Sequence, residues 1–370
     1  MSCFPFAKWH EQGKLGLRPR GGFMSVRDNV LITGANGFIG SHILKSLFAK
    51  NEYRACGLVR KTSNLFRLHS GDYELFRGSI TDTLDGIMSG FDAVVHTAGM
   101  ASDWGPYRDF HSINVDGTIN VARSAIRCGV KKFIHLSSTV IYGFAGNVHT
   151  DEDAPANPFR NSYCETKTIA EKKLLELKND IHIVVLRPSN VFGPQDLSFT
   201  YRLLKSLDKG FIGFPRGGKP LTSPCFVGNL VHAIERALKL RIDSGQAFNI
   251  SDGADIPWKT FLRMCAEEMH KKSPTLPVPS APLYALSILL EKLYSLAGAR
   301  TPPLITPYRI AISSRDYSFS VDKARAVLGY SPRFSTFEGI KESVRWYRNF
   351  DERVLRSIPK RFNTPSPKSP

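Results

Sequence analysis

The chain has 370 residues, 42% hydrophobic and 22% charged, with 50 Lys+Arg against 33 Asp+Glu and a formal net charge of +17. That much apolar residue excludes a disordered chain, and the length fits two domains or one with an elaborated end, at roughly 100–200 residues per domain. The six cysteines (Cys3, Cys56, Cys128, Cys164, Cys225, Cys265) form no C-x-x-C pair, which excludes a disulfide scaffold and fits free thiols in a reducing, cytoplasmic compartment.

A strongly basic chain invites a nucleic-acid or anionic-membrane reading. The distribution argues against nucleic acid. Residues 1–27 carry five Lys/Arg against Glu11, residues 351–370 carry five against Asp351 and Glu352, and no Lys/Arg block occurs between them. Residues 1–27 read as an irregular basic extension without the apolar core of a secretory signal, and Met24 offers an alternative start. Residues 351–370, rich in Pro, Ser and Lys, read as a disordered basic tail.

From Asn29, short β-branched runs alternate with helical periods: VLIT, a helix over 38–49, YRACGLVR, YELF, AVVH, a helix over 108–128, KKFIHLSS, a helix over 162–178 and IHIVVLRP. This rhythm predicts an α/β fold, a doubly wound parallel (Rossmann) sheet over residues 28–190. Beyond it, longer helices broken by Pro and Gly predict a smaller C-terminal substrate-capping region over 191–350, interleaved with the last strands. No stretch reaches the ~20 nearly uncharged apolar residues that span a bilayer. Ala281–Ala297 comes nearest, interrupted by Glu291 and Lys292. A helix so apolar is either a buried cap, the reading preferred, or one that lies on a membrane surface.

The first strand runs into Gly34-Ala-Asn36-Gly37-Phe38-Ile39-Gly40 and then a helix. Glycines so placed let the backbone turn sharply and approach a pyrophosphate, while the helix N-terminus offers free N–H groups. The second strand ends in Arg60-Lys61 and has no acidic residue for an adenosine ribose, which favours NADP(H) and leaves NAD(H) open.

The fifth strand ends in Ser137-Ser138-Thr139, and 25 residues after Ser138 come Tyr163-Cys-Glu-Thr-Lys167. Spacing of four on a helix stacks Tyr163 and Lys167 on one face. Tyr163 is then the proton donor or acceptor for a carbonyl/alcohol pair, with its phenol pKa of about 10 lowered by the adjacent ammonium. Ser138 is placed to hydrogen-bond the reacting oxygen. A second Tyr-x-x-x-Lys, Tyr201 to Lys205, lacks an upstream serine strand and reads as coincidence on a surface helix.

Together these elements resemble the extended short-chain dehydrogenase/reductases from about Asn29 to Phe350. Further matching pieces are His96-Thr-Ala98-Gly99, Asn114-Val-Asp-Gly-Thr118 and Arg187-Pro188-Ser-Asn190-Val-Phe192-Gly-Pro194. The resemblance implies catalysis by Ser138, Tyr163 and Lys167, with Ser137 or Thr139 as substitutes for the serine. It also implies cofactor contacts from the glycine turn, Arg60, Ser79, Ile80, Ala98, Gly99, Asn114, Tyr163, Lys167 and Pro188. Ser79 stands where many relatives have an adenine-contacting Asp. The helices over 108–128 and 162–178 imply a homodimer, and no metal site is expected.

Val227-Gly228-Asn229-Leu and Ser102-Asp-Trp104-Gly-Pro resemble the 3β-hydroxysteroid dehydrogenase branch, and the Arg that sugar-nucleotide relatives use for a diphosphate is missing before Phe226. Arg202 and Arg216 remain substitutes for it. The expected function is therefore an NAD(P)-dependent oxidoreductase of a hydrophobic alcohol or ketone, with Trp104, Thr139, Asn190, Phe192 and Phe226 toward substrate. The alternatives are a sugar-nucleotide epimerase or dehydratase and a non-catalytic dinucleotide-sensing or nucleic-acid-binding protein. The expected partners are a hydrophobic small molecule, a second copy of the chain and an anionic membrane surface beside the apolar helix, with no nucleic acid.

Overall fold

In a computed structural model, residues 28–357 are described, except 70, 211, 212, 275 and 300. The N-terminal extension, the alternative start at Met24 and the end of the basic tail lie outside the described residues.

Seven strands form the central sheet: β1 (Asn29–Thr33), β2 (Arg54–Val59), β3 (Glu74–Arg77), β4 (Ala93–His96), β5 (Lys132–Leu136), β6 (His182–Pro188) and β7 (Gln246–Ile250). They lie in the order β7-β6-β5-β4-β1-β2-β3 with every pairing parallel. The order reverses between β1 and β4, which opens a crevice at their carboxyl ends. Because β7 comes from residues 246–250, the chain returns to the sheet after starting its cap.

Side chains alternate across each strand, so both sheet faces are apolar. Val30 and Ile32 pack with α1 (Phe38–Lys50) and α4 (Val227–Lys239). Leu31, Leu58 and Val94 pack on the other face with α2 (Gly117–Arg127) and α3 (Ser162–Leu175). Each fully buried aliphatic side chain stabilises this sandwich by about 1.5–3 kcal/mol. The helix expected over 108–128 is three pieces: a turn at Tyr107–Phe110, a widened π-type turn at His111–Asp116, and α2. Such a widened turn, here carrying Asn114 inward, is common at functional sites.

The C-terminal region has its own aromatic core of Phe192, Phe226, Phe261, Ile340 and Val344. Two helices reach from it toward the crevice, α5 (Ser280–Leu296) and α6 (Pro307–Ser314). Thr306 caps α6 by accepting from Arg309 N, with Pro307 at the first helical position. The expectation that α5 is a buried cap is not met: Ser287 is its only buried residue. Nor is Tyr201 on a surface. It is buried, and its hydroxyl donates to Glu352 (2.6 Å) while accepting from Lys205 (2.9 Å), so this Tyr/Lys pair fastens the Thr200–Asp208 helix to the chain's last described segment.

Candidate active site

The crevice begins at the turn after β1. Gly34 has φ +68°, and a Cβ there would lie 2.8 Å from Ala98 Cα; a Cβ at Gly40 would strike Gly34 O. Gly37 starts α1 in extended conformation with no side-chain cap, which leaves the first N–H groups of the helix facing the crevice mouth. A cradle that side chains would fill fits a dinucleotide pyrophosphate. Across the crevice, Thr33 joins the two central strands: its hydroxyl shares a hydrogen bond with His96 Nδ1 (2.8 Å) and accepts from Ala98 N (3.3 Å). A Cβ on Gly99 would press on Asn114 Oδ1.

The other expected cofactor residues sort by environment. Asn36 donates to Asn64 O (3.3 Å), Phe38 lies edge-on to His42, and Ile39 is half-buried against the core. Arg60 and Lys61 are exposed at the end of β2. Beside them, Arg77 donates to the carbonyls of Arg60 (3.1 Å) and Lys61 (3.4 Å), a third cation at this edge that the sequence reading missed. Its signal was positional, since Arg77 ends β3 in register with Val59. Ser79 N is bound by the Asp82 carboxylate (2.8 Å), so an acidic group stands three residues beyond the position where relatives have theirs. Ile80 packs against the core, where its side chain fills the space beside Gly117. The Asn114 side chain is spent within the protein, bonding Met100 N (2.7 Å), Met100 O (3.2 Å) and Thr166 Oγ1 (3.0 Å). It splints the loop after β4 to α3.

Ser138 leaves β5 in extended backbone, and its Oγ accepts from Val140 N (3.3 Å). Tyr163 sits in the first turn of α3, whose cap Asn161 accepts from Tyr163 N (2.9 Å). Ser138 lies close enough to the Tyr163 phenol to favour its ionised form. Burial pushes the Tyr163 phenol up to about 12, opposed by Ser138. Lys167, one turn on, donates to Leu136 O (2.6 Å), and burial lowers its ammonium to about 8 against the pull of Glu171. The expected lowering of the phenol by the lysine is therefore not seen. Desolvation disfavours the charged form of the half-buried phenol and of the buried ammonium alike, and the ammonium is engaged by a carbonyl.

His96 is held neutral, lowered to about 3 by burial, and His135 is lowered well below the usual range by the same cause. Glu171, one turn further on α3, forms a buried ion pair with Arg187 at 2.6 Å. Ser137 Oγ is buried without a hydrogen-bond partner in the described structure.

Of the expected substrate residues, two are half-buried. Trp104 is half-buried in the loop after β4 and donates from its indole to Ala299 O (3.0 Å), beyond α5. Asn190 is half-buried and donates to Thr222 Oγ1 (2.7 Å). Thr139, Phe192 and Phe226 are buried. Thr139 is fully buried and bonded to the Tyr317 hydroxyl (2.7 Å), and the two phenylalanines belong to the aromatic core with Phe261. Pro188, at the end of β6, is buried, and its carbonyl accepts from Thr139 (3.4 Å). Arg202 and Arg216 are both exposed; Arg216 donates to Ser314 O (3.4 Å) at the end of α6.

Asp103 is the residue the sequence reading passed over. Its carboxylate pairs with Arg309 (2.8 Å) and accepts from Thr306 Oγ1 (2.6 Å), while its carbonyl accepts from Asn161 (3.2 Å). One residue thus joins the start of α6 to the cap of the helix that carries Tyr163. The same joint brings Tyr284 of α5 and Tyr308 of α6 onto the cluster of Tyr163, Phe144 and Phe159. Among the described residues no group of three or more His, Cys, Asp or Glu is placed to hold a metal ion.

A family profile described as the NAD dependent epimerase/dehydratase family matches residues 30–251. A 3 beta-hydroxysteroid dehydrogenase/Delta 5-->4-isomerase of Mycobacterium tuberculosis is 29% identical over 346 residues, covering 88% of this chain and 92% of that protein. An N-acetyl-alpha-D-glucosaminyl-diphospho-ditrans,octacis-undecaprenol 4-epimerase of Escherichia coli O157:H7 is 31% identical over 291 residues, covering 74% of this chain and 85% of its own. The crystal structure of gox2253 superposes with a TM-score of 0.73 at 26% identity, covering 87% of this chain and 98% of that one. With the parallel sheet, the glycine cradle and the Ser138/Tyr163/Lys167 set, these matches place the chain in the NAD dependent epimerase/dehydratase family, as an extended short-chain dehydrogenase/reductase enzyme with 3β-hydroxysteroid dehydrogenase relatives.

Proposed function

We propose that this enzyme interconverts a secondary alcohol and a ketone on a hydrophobic, sterol-like substrate, with NADP(H) as its preferred cofactor. The observation that carries the reading is the aromatic cluster that Tyr163 shares with Phe144, Phe159, Tyr284 and Tyr308, beside Ser138. Apolar walls with a few convergent polar groups suit a polycyclic or long-chain substrate. When bound, the nicotinamide supplies or accepts hydride. Tyr163 gives its proton to the carbonyl oxygen in reduction, and in oxidation its phenolate takes the proton of the hydroxyl. Ser138, with one lone pair occupied by Val140 N–H, keeps its own proton for the reacting oxygen. Lys167 contributes a positive charge beneath Tyr163 that favours oxyanion character in the transition state. Arg60, Lys61 and Arg77 at the β2–β3 edge support the choice of a 2′-phosphate.

A second reading, a sugar-diphosphate epimerase with retained cofactor, is favoured by the 31% identical epimerase and by Arg216 and Arg315 near α6. Nicotinamide absorbance followed with 3β-hydroxysterols, long-chain ketones and UDP-sugars separates the two. Stoichiometric cofactor turnover with a sterol or ketone is expected; a new sugar isomer without net cofactor change would overturn the first reading. We also infer a homodimer through the outer faces of α2 and α3, where a groove lined by Val115, Ile119, Lys173 and Leu177 is open to a second copy.

A further inference from the structure

One face of α3 repeats every fourth residue, so that Tyr163, Lys167 and Glu171 stand one above the other. The partners of this face come from a single stretch of chain, the end of β5 and the turn Thr139–Tyr142 that Ser138 caps. Tyr163 lies beside Ser138, and Lys167 donates to Leu136 O (2.6 Å). Glu171 meets the same stretch through Arg187 of β6. Nε and Nη2 of Arg187 grip the buried Glu171 carboxylate (3.1 and 2.6 Å), and Nη1 donates to the Tyr142 hydroxyl (2.5 Å). Tyr142 gives its own proton to Asn249 Oδ1 of β7 (3.0 Å), so its oxygen is turned to accept from Arg187.

Stability alone is a poor reason for this arrangement. A buried ion pair gives up the hydration of two charges, and an apolar pair of similar size often serves stability as well or better. What the pair supplies is geometry. A guanidinium is planar, permanently charged and forked, so it holds two partners at a fixed spacing, which a lysine ammonium does not. Here the two partners belong to the two segments that must converge on one substrate oxygen, the helix of Tyr163 and the turn of Ser138. Tyr142 is the last residue of that turn, buried and stacked on Phe319 with 5.4 Å between ring centres, so its hydroxyl has little slack relative to the turn. A displacement of about 1 Å between reacting groups costs about 10²-fold in rate.

We propose that Arg187 is a positioning residue for catalysis: by holding Glu171 and Tyr142 together, it sets the spacing between Tyr163 and Ser138. It acts through those two partners and not on the reacting atoms. Lys167 shares in the effect, because the same ion pair fixes the turn of helix from which it reaches Leu136 O. The proposal rests on Ser138, Tyr163 and Lys167 as the catalytic set, and it holds whether the substrate is a sterol or a sugar diphosphate.

The test is steady-state kinetics of the full chain with NADPH and a 3-ketosteroid, or with the UDP-sugar that the wild type isomerises, together with NADPH binding by fluorescence titration and thermal unfolding. Arg187→Lys keeps the charge and loses the fork, and Tyr142→Phe keeps the ring and loses the hydroxyl. The double variant Arg187→Met/Glu171→Leu removes the pair without leaving a charge unpaired, which guards against failure to fold. Each should lower kcat, about tenfold in the single variants and about 10²-fold in the double, with KM values and the NADPH dissociation constant within about twofold of wild type. Wild-type kcat in folded Arg187→Lys and in the double variant overturns the proposal. So does a loss of kcat matched by equal losses of NADPH affinity and folded fraction, which would make the ion pair a structural brace only. Tyr163→Phe is the control: activity that survives it, or a wild type that turns over neither substrate class, overturns the catalytic assignment itself. Loss of activity in Tyr163→Phe with wild-type rates in Arg187→Lys overturns the positioning role alone.

Discussion

Tyr163 and Lys167 show how burial sets the chemistry at the scale of single residues. With the phenol at about 12 and the ammonium at about 8, the tyrosine holds its proton throughout the neutral range, while the lysine charge is half lost at about pH 8. The lysine's folded pKa lies below its usual value, so its positive charge disappears as pH rises through 8. Carbonyl reduction should therefore show an alkaline limb centred near pH 8 in a kcat/KM profile, and a rate that stays flat to pH 10 would contradict the assignment. The proposed NADP(H) preference rests on Arg60. Arg60→Asp should raise KM for NADPH about tenfold or more and leave KM for NADH nearly unchanged, as removal of a charge-assisted contact predicts. An equal effect on both cofactors would return Arg60 to the solvated surface. The serine, tyrosine and lysine were legible in sequence because their order and spacing are local facts. Lys167's engagement with Leu136 O and the insertion of Ile80 into the core were not, because both depend on packing between distant segments.

At the scale of elements, strand–turn–helix units were read correctly where one hydrophobic period dominates. Helix 38–49 and the strands around it differ from the observed α1 and β1–β4 by a residue or two. The region after β4 was less legible. The expected single helix over 108–128 is interrupted by a π-type turn whose Asn114 holds Met100 and Thr166, a contact no periodicity reveals. Aromatic composition is the same in a core and in a pocket, so the sequence did not show that Phe192 and Phe226 pack on each other in a cluster with Phe261. The glycine cradle makes an element-scale prediction. Gly40→Ala puts a methyl group against Gly34 O, so the α1 terminus must shift. NADPH affinity, followed by fluorescence titration, should fall about tenfold or more, and stability should drop by about 1–3 kcal/mol, the usual cost of overpacking. Unchanged affinity would place the pyrophosphate elsewhere.

At the scale of the whole molecule, the switch point between β1 and β4 gathers the glycine turn, the Ala98-Gly99 pair and, one strand further, Ser138 along one edge of the sheet. The C-terminal region closes over that edge through a small number of polar joints, of which Asp103 is the main one, leaving α5 on the outside. The net charge of +17, which first suggested nucleic acid, divides among basic tails, the cofactor edge and the flanks of an exposed apolar helix. The central claim is that hydride moves between cofactor and a hydrophobic alcohol or ketone, with Tyr163 handling the proton. Its most direct test is a single turnover with NADPH deuterated at nicotinamide C4 and a 3-ketosteroid, analysed by mass spectrometry. The account predicts deuterium on the product carbinol carbon in the wild type, and a rate lower by about 10²–10⁴ in Tyr163→Phe. A product without deuterium, or an isomerised UDP-sugar formed while the deuterium stays on the cofactor, would contradict it.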